Sequence, residues 1–149
     1  MSKKLWLCAP LLSIGLLGCG TMPDKREIVQ PDAPVGCNPG VCFVDVWVND
    51  CDRGEVITRP EKLEVPDRGV AKNIRWRLRS EGYLFASNGI VIAKPDQEFN
   101  EPDLIADGTM FKWANRHTKQ GEYKYSVNVV KTGRNPANCP TYDPRIFNQ

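Results

Sequence analysis

The chain has 149 residues, 41% hydrophobic and 26% charged, which is enough apolar material for one packed core and too much to leave the chain disordered. Its formal net charge is only +2, from 20 basic and 18 acidic side chains, so the overall basic excess that marks a nucleic-acid binder is missing and no nucleic-acid partner is expected. Six cysteines against a single histidine, His117, suggest an oxidising compartment and exclude metal sites that need several imidazoles from one chain.

Taken in order, Lys3 and Lys4 precede an apolar run over residues 5–17 that closes on Leu16-Leu17-Gly18-Cys19. A basic start, a short apolar run and a small residue at the cut make a secretory leader, and the run is too short to span a bilayer as a helix. The closing cysteine makes the motif resemble the lipobox of bacterial lipoproteins. That resemblance implies a signal peptide over residues 1–18, a diacylglyceryl group on Cys19, and a mature chain that begins there. It also implies the outer membrane, facing the periplasm, because Gly20 is not the aspartate that retains such proteins at the inner membrane. With each buried CH2 adding about 0.8 kcal/mol, three acyl chains would anchor the chain permanently. Cleavage would remove Lys3 and Lys4 and bring the net charge to zero.

Residues 19–36 hold Pro23, Pro31 and Pro34 among charged side chains and show no apolar period; they read as a tether. From residue 37 to residue 149 the pattern is that of one β domain. Residues 41–49 alternate strictly, with Cys42, Val44, Val46 and Val48 on one face and Phe43, Asp45, Trp47 and Asn49 on the other. Residues 57–65 form a weaker extended segment broken by Pro60, and Asp67-Arg68-Gly69 turns the chain. Residues 73–79 alternate again, with Ile74, Trp76 and Leu78 predicted inward and Arg75, Arg77 and Arg79 outward. Two short apolar pieces, residues 82–85 and 89–93, are separated by Ser87-Asn88-Gly89, which reads as a hairpin-like turn. Residues 94–108 form the longest expected irregular region, residues 110–114 a short strand, and residues 116–121 a polar turn. Residues 121–130 are the clearest strand, with Tyr123, Tyr125, Val127 and Val129 on one face. Short strands at turn-punctuated intervals with no helical period predict an all-β antiparallel Greek-key sandwich.

Cys37, Cys42, Cys51 and Cys139 remain once Cys8 is removed with the signal peptide and Cys19 is assigned to lipid, and an even number predicts two disulfides. Three pairings are possible. The turn sequence Asn38-Pro39-Gly40 favours Cys37 with Cys42, which leaves Cys51 for Cys139.

Gly121-Glu122-Tyr123-Lys124-Tyr125 resembles the G-x-Y-x-Y strand of cupredoxin-like and immunoglobulin-like sandwiches. Ile74-Arg75-Trp76-Arg77-Leu78, Asn88-Gly89-Ile90, Phe111-Lys112-Trp113 and the ending Asp143-Pro144-Arg145-Ile146-Phe147-Asn148 extend that likeness over residues 41–148. The resemblance implies a fold without its chemistry. Blue copper needs two imidazoles and a thiolate, whereas Ser126 and Val127 stand in the neighbourhood of the expected thiolate and no histidine follows. No metal and no cofactor are expected.

Among chemically suggestive residues, His117 lies in a polar loop and reads as a solvated histidine. Glu98, Glu101, Asp103 and Asp107 read as an acidic solvated loop, since their spacing fits no calcium loop. No catalytic residues are assigned. The candidate binding face is the row Arg75, Arg77 and Arg79 together with Trp47; such a row needs cross-strand acids, with Glu64 and Glu122 as expected partners, or an acidic ligand. The expectation is a non-enzymatic protein-binding module, accessory to an envelope or secretion assembly, held to the membrane by its N-terminal lipid. An alternative is an inhibitor or immunity lipoprotein that plugs a wall hydrolase with residues 94–108. No small-molecule substrate is expected.

Overall fold

The structure, a computed structural model, describes residues 34–149. The lipobox, Cys19 and the tether up to residue 33 lie outside the described residues. The elements in chain order are β1 (Gly36–Asn38), β2 (Val41–Asp50), β3 (Glu55–Arg59), β4 (Lys62–Val65), β5 (Lys72–Leu78), β6 (Tyr83–Ile92), β7 (Phe99–Ile105), a 3-10 turn (Ala106–Gly108), β8 (Met110–Asn115), β9 (Gly121–Lys131), β10 (Ala137–Asn138) and β11 (Arg145–Asn148).

Six strands form one sheet in the order β1-β2-β5-β8-β7, with β3 also on β2; five form the other, in the order β10-β9-β11-β4, with β6 on β9. Most neighbours are antiparallel, as the alternation predicts, but β2–β5 and β4–β11 are parallel, so the sheets are mixed. The cause is the crossover. β3 returns along β2, the chain turns at Pro60 into the second sheet as β4, and the Asp67-Arg68-Gly69 turn sends it back as β5, running the same way as β2.

The alternating faces of both sheets supply the core. Cys42, Val44, Val46, Ile74 and Trp76 of the first sheet pack on Ile90, Tyr125, Val127, Val129 and Ile146 of the second, all essentially inaccessible to water. Trp76 meets Tyr125 edge-on at 5.3 Å between ring centres. Both disulfides are those favoured by the turn chemistry, Cys37–Cys42 and Cys51–Cys139. The first clips β1 to β2. The second joins the end of β2 to the chain beside β9 and so ties the two sheets together.

Two local expectations change. Ser87-Asn88-Gly89 is a bulge inside the continuous strand β6, its register shifting on β9 between Phe85 and Ile90. Glycine is required there because an added Cβ would lie 2.7 Å from the Phe85 Cβ and 3.0 Å from the Phe111 ring. Residues 94–108 also contain order, namely β7 paired along β8 with a shift between Asn100 and Asp103 at Pro102. Pro102 and exposed Glu101 and Asp103 blunt that sheet edge against further pairing.

Candidate functional site

The first sheet has a second, outward face, and its make-up follows from register. Alternation on β2 points Phe43, Asp45 and Trp47 away from the core. The parallel ladder sets Phe43 against Arg75 and Asp45 against Arg77. On the other edge, β3 brings Ile57 to Trp47 and Arg59 to Asp45. Beyond β5, β8 places Lys112 beside Arg75 and Met110 beside Arg77, and β7 sets Asp103 next to Lys112.

Asp45 is the hub of this face. The Arg77 Nε donates to its Oδ1 at 2.6 Å, and the Arg79 Nε lies 3.1 Å from the same oxygen. The Arg77 side chain is 3% exposed and the Asp45 side chain 9%, whereas that of Arg79 is 28% exposed. Arg77 also stacks its guanidinium 4.5 Å from the Phe43 ring centre, and Arg59 lies 5.3 Å from the Trp47 ring. Lys112 reaches Asp103 at 3.7 Å. Phe43 and Met110 are buried although they stand apart from the main core, so this face has a small apolar strip of its own.

The arginine row is thus assembled on one face, with a different division of labour from the expected one. Arg77 is an internal strut, while Arg75, Arg79 and half-buried Trp47 lie nearer the surface and Arg59 is exposed. The expected partners Glu64 and Glu122 sit on the second sheet and pair with Lys62 at 3.2 Å and Arg145 at 2.7 Å. Asp45 and Arg59, which complete the face, were missed because their adjacency depends on the β2–β3 register; an acid among inward-outward alternating valines was the available signal.

The other polar concentration lies where the chain passes from β8 into β9. His117 is fully buried, contrary to the expected solvated loop histidine. Its backbone N–H donates to the Asn115 Oδ1 at 2.9 Å, and its Nδ1 lies 3.1 Å from the Asp67 carbonyl, an acceptor that calls for the proton on Nδ1. Glu98 is likewise buried and does not belong to a solvated acidic loop. It accepts from the Thr118 hydroxyl at 2.8 Å, from the Lys119 N–H at 3.2 Å, and from the Thr118 N–H. Burial works to raise its carboxyl, but those donors and the Lys119 charge outweigh it and hold the group below the usual glutamate range. Asn115 and Asn148 pair side chain to side chain at 2.8 Å, and Lys72 meets Asp67 at 3.1 Å. These groups hold loops in place, and neither His117 nor Glu98 is open to a substrate.

Glu101, Asp103 and Asp107 are exposed, as expected. Among the described residues, no group of three or more His, Cys, Asp or Glu side chains is placed to hold a metal. No protein-family model matches the chain, and no curated protein matches its sequence.

Proposed function

We propose that the protein is an outer-membrane lipoprotein, anchored through Cys19 on the periplasmic side, whose β-sandwich binds an acidic envelope protein and performs no catalysis. The observation that carries this reading is the outward face of the first sheet, where guanidinium groups and aromatic rings are fixed around Asp45. Arginine and tryptophan held in place suit a contact surface, because little side-chain freedom is left to lose on binding. The anchor is supported by Leu16-Leu17-Gly18-Cys19 and its apolar lead. A non-catalytic role is supported by the burial of His117 and Glu98 away from the surface, with Glu98 bonded to Thr118 and Lys119. We read the sandwich as a cupredoxin-like or immunoglobulin-like scaffold used without copper, with Ser126 and Val127 where the resemblance would put a thiolate.

The test is made in intact cells. Labelled palmitate should appear on the product, and Cys19→Ser should release it from the membrane. Crosslinking should capture an acidic envelope protein, and reversing Arg59 and Arg79 to Glu should abolish capture while the purified variant still unfolds cooperatively. Unchanged maturation and partitioning in the serine variant would overturn the anchor. Capture indifferent to the charge reversal would overturn the face, and capture of a wall hydrolase would replace the accessory role by that of an inhibitor.

A further inference from the structure

The two margins of the first sheet are finished differently. At β7, Pro102 with exposed Glu101 and Asp103 blocks further pairing. At the other margin β3 pairs with β2 alone, and from Val56 to Arg59 its ladder runs without a shift or a proline. Register fixes which peptide groups face outward there. The Arg79 N–H donates to the Val46 carbonyl at 2.8 Å, so Val46 turns its backbone toward β5, and by alternation Asp45 and Trp47 turn theirs toward β3. Asp45 and Trp47 stand opposite Arg59 and Ile57, whose backbone groups therefore point to β2. Those of Val56 and Thr58 point away from the sheet. The Val56 N–H is held by the Gly54 carbonyl at 2.9 Å, which leaves the Val56 carbonyl and the N–H and carbonyl of Thr58 along the open edge.

The side chains of this edge are complementary to themselves. Glu55, Ile57 and Arg59 are exposed, whereas Val56 and Thr58 are buried. Rotated about a two-fold axis through Ile57, the strand meets its own copy antiparallel, with Glu55 opposite Arg59, Val56 opposite Thr58, and Ile57 opposite Ile57. That register sets each Thr58 N–H against the Val56 carbonyl of the other copy and an acid against a base at both ends. A shift of two residues in either direction would place a charge against Ile57 instead. Ile57, 37% exposed, lies beside Trp47 on β2, so two copies would join their Trp47 and Ile57 side chains into one apolar strip.

We propose that the edge of β3 pairs with β3 of a second copy of this chain, making one sheet continuous across a two-fold axis. Each copy covers the other's edge, so the assembly closes at two. A strand of five residues buries less than the roughly 1,000 Å² of a stable interface, and the dimer is accordingly weak, with a dissociation constant on the order of 100 µM. It requires neither the lipid nor an acidic partner and is tested apart from both.

Sedimentation equilibrium on the purified chain carrying Cys19→Ser, at concentrations spanning the expected dissociation constant, should show a monomer and a dimer. Hydrogen exchange at the Thr58 amide should slow as the dimer fills. Ile57→Lys should weaken association by at least about tenfold, and Glu55→Arg or Arg59→Glu alone on the order of tenfold, while the two charge reversals in one chain should return it to within about threefold of the starting value. Along one strand those two side chains are about 13 Å apart, so the rescue arises only between copies. Urea unfolding checks each variant, and if a charge variant fails to fold cooperatively, Ile57→Lys and the Thr58 amide decide. A monomer at every concentration, a dimer indifferent to Ile57→Lys, folded charge variants without rescue, or protection gained at β6 or β7 in place of Thr58 would overturn the proposal.

Discussion

Asp45→Asn is the perturbation that reads the outward face most directly. The substitution keeps the side-chain shape and an acceptor oxygen but removes the charge that Arg77 meets at 2.6 Å and Arg79 at 3.1 Å. A hydrogen bond to a charged group contributes about 1.5–3 kcal/mol, and deleting one member of a buried ion pair outright costs about 3–5 kcal/mol. Because the amide retains part of the bonding, the expected loss is about 2–3 kcal/mol, or roughly 10 °C in Tm for a domain of this size. Urea denaturation of the purified chain measures it. A double-mutant cycle with Arg77→Gln should return coupling on the order of 1–2 kcal/mol, whereas Arg79→Gln, at a more exposed position, should cost under about 1 kcal/mol. A loss below about 0.5 kcal/mol for Asp45→Asn, or coupling to Arg79 larger than that to Arg77, would refute the assignment of Asp45 and Arg77 as the fixed centre of the face.

Three other outcomes follow. Replacing Cys51 and Cys139 by alanine opens a loop with a sequence separation of 88 and should cost about 4–5 kcal/mol, against about 2 kcal/mol for Cys37 and Cys42 with their separation of 5; equal or reversed losses on urea denaturation would contradict the loop-closure account. The Glu98 carboxyl is held below its ordinary value of 4.5, so its stabilisation is complete above that pH and disappears as pH falls through the lowered value; Glu98→Gln should flatten the acid limb of the stability profile, and an unchanged limb would sink the explanation. Gly89→Ala forces a methyl toward Phe85 and Phe111 and should destabilise by about 1–3 kcal/mol in thermal melts, with a neutral result showing that the bulge can open.

The strands were legible wherever one face is apolar and the partner lies in simple alternation. Val44, Val46, Ile74, Tyr125 and Val127 announce their burial through a period of two. The parallel pairings were not legible, because the direction of β5 depends on β4 leaving for the other sheet at Pro60, and no local pattern records such a departure. Nor was the strand through Ser87-Asn88-Gly89, since turn-forming residues also make bulges. Glu98 and His117 misled for a related reason. A polar residue is buried when distant donors satisfy it, and the donors to Glu98 come from Thr118 and Lys119 on another segment. The arginine row was visible as a row, but its counter-charge was assigned to the wrong sheet because Asp45 looked like one more solvent-facing residue.

The contrast between the two polar regions separates fold from function. Around Glu98 and His117, polar groups close loops by bonding to backbone, which any sandwich needs at its ends. The outward face has no such obligation. A buried pair such as Asp45–Arg77 offers little net stability over apolar side chains of the same volume, and Val or Leu at those positions would satisfy the sheet equally well. What the pair supplies is position, since it fixes one guanidinium over Phe43 and draws Arg79 to the same carboxylate while Arg59 lies over Trp47.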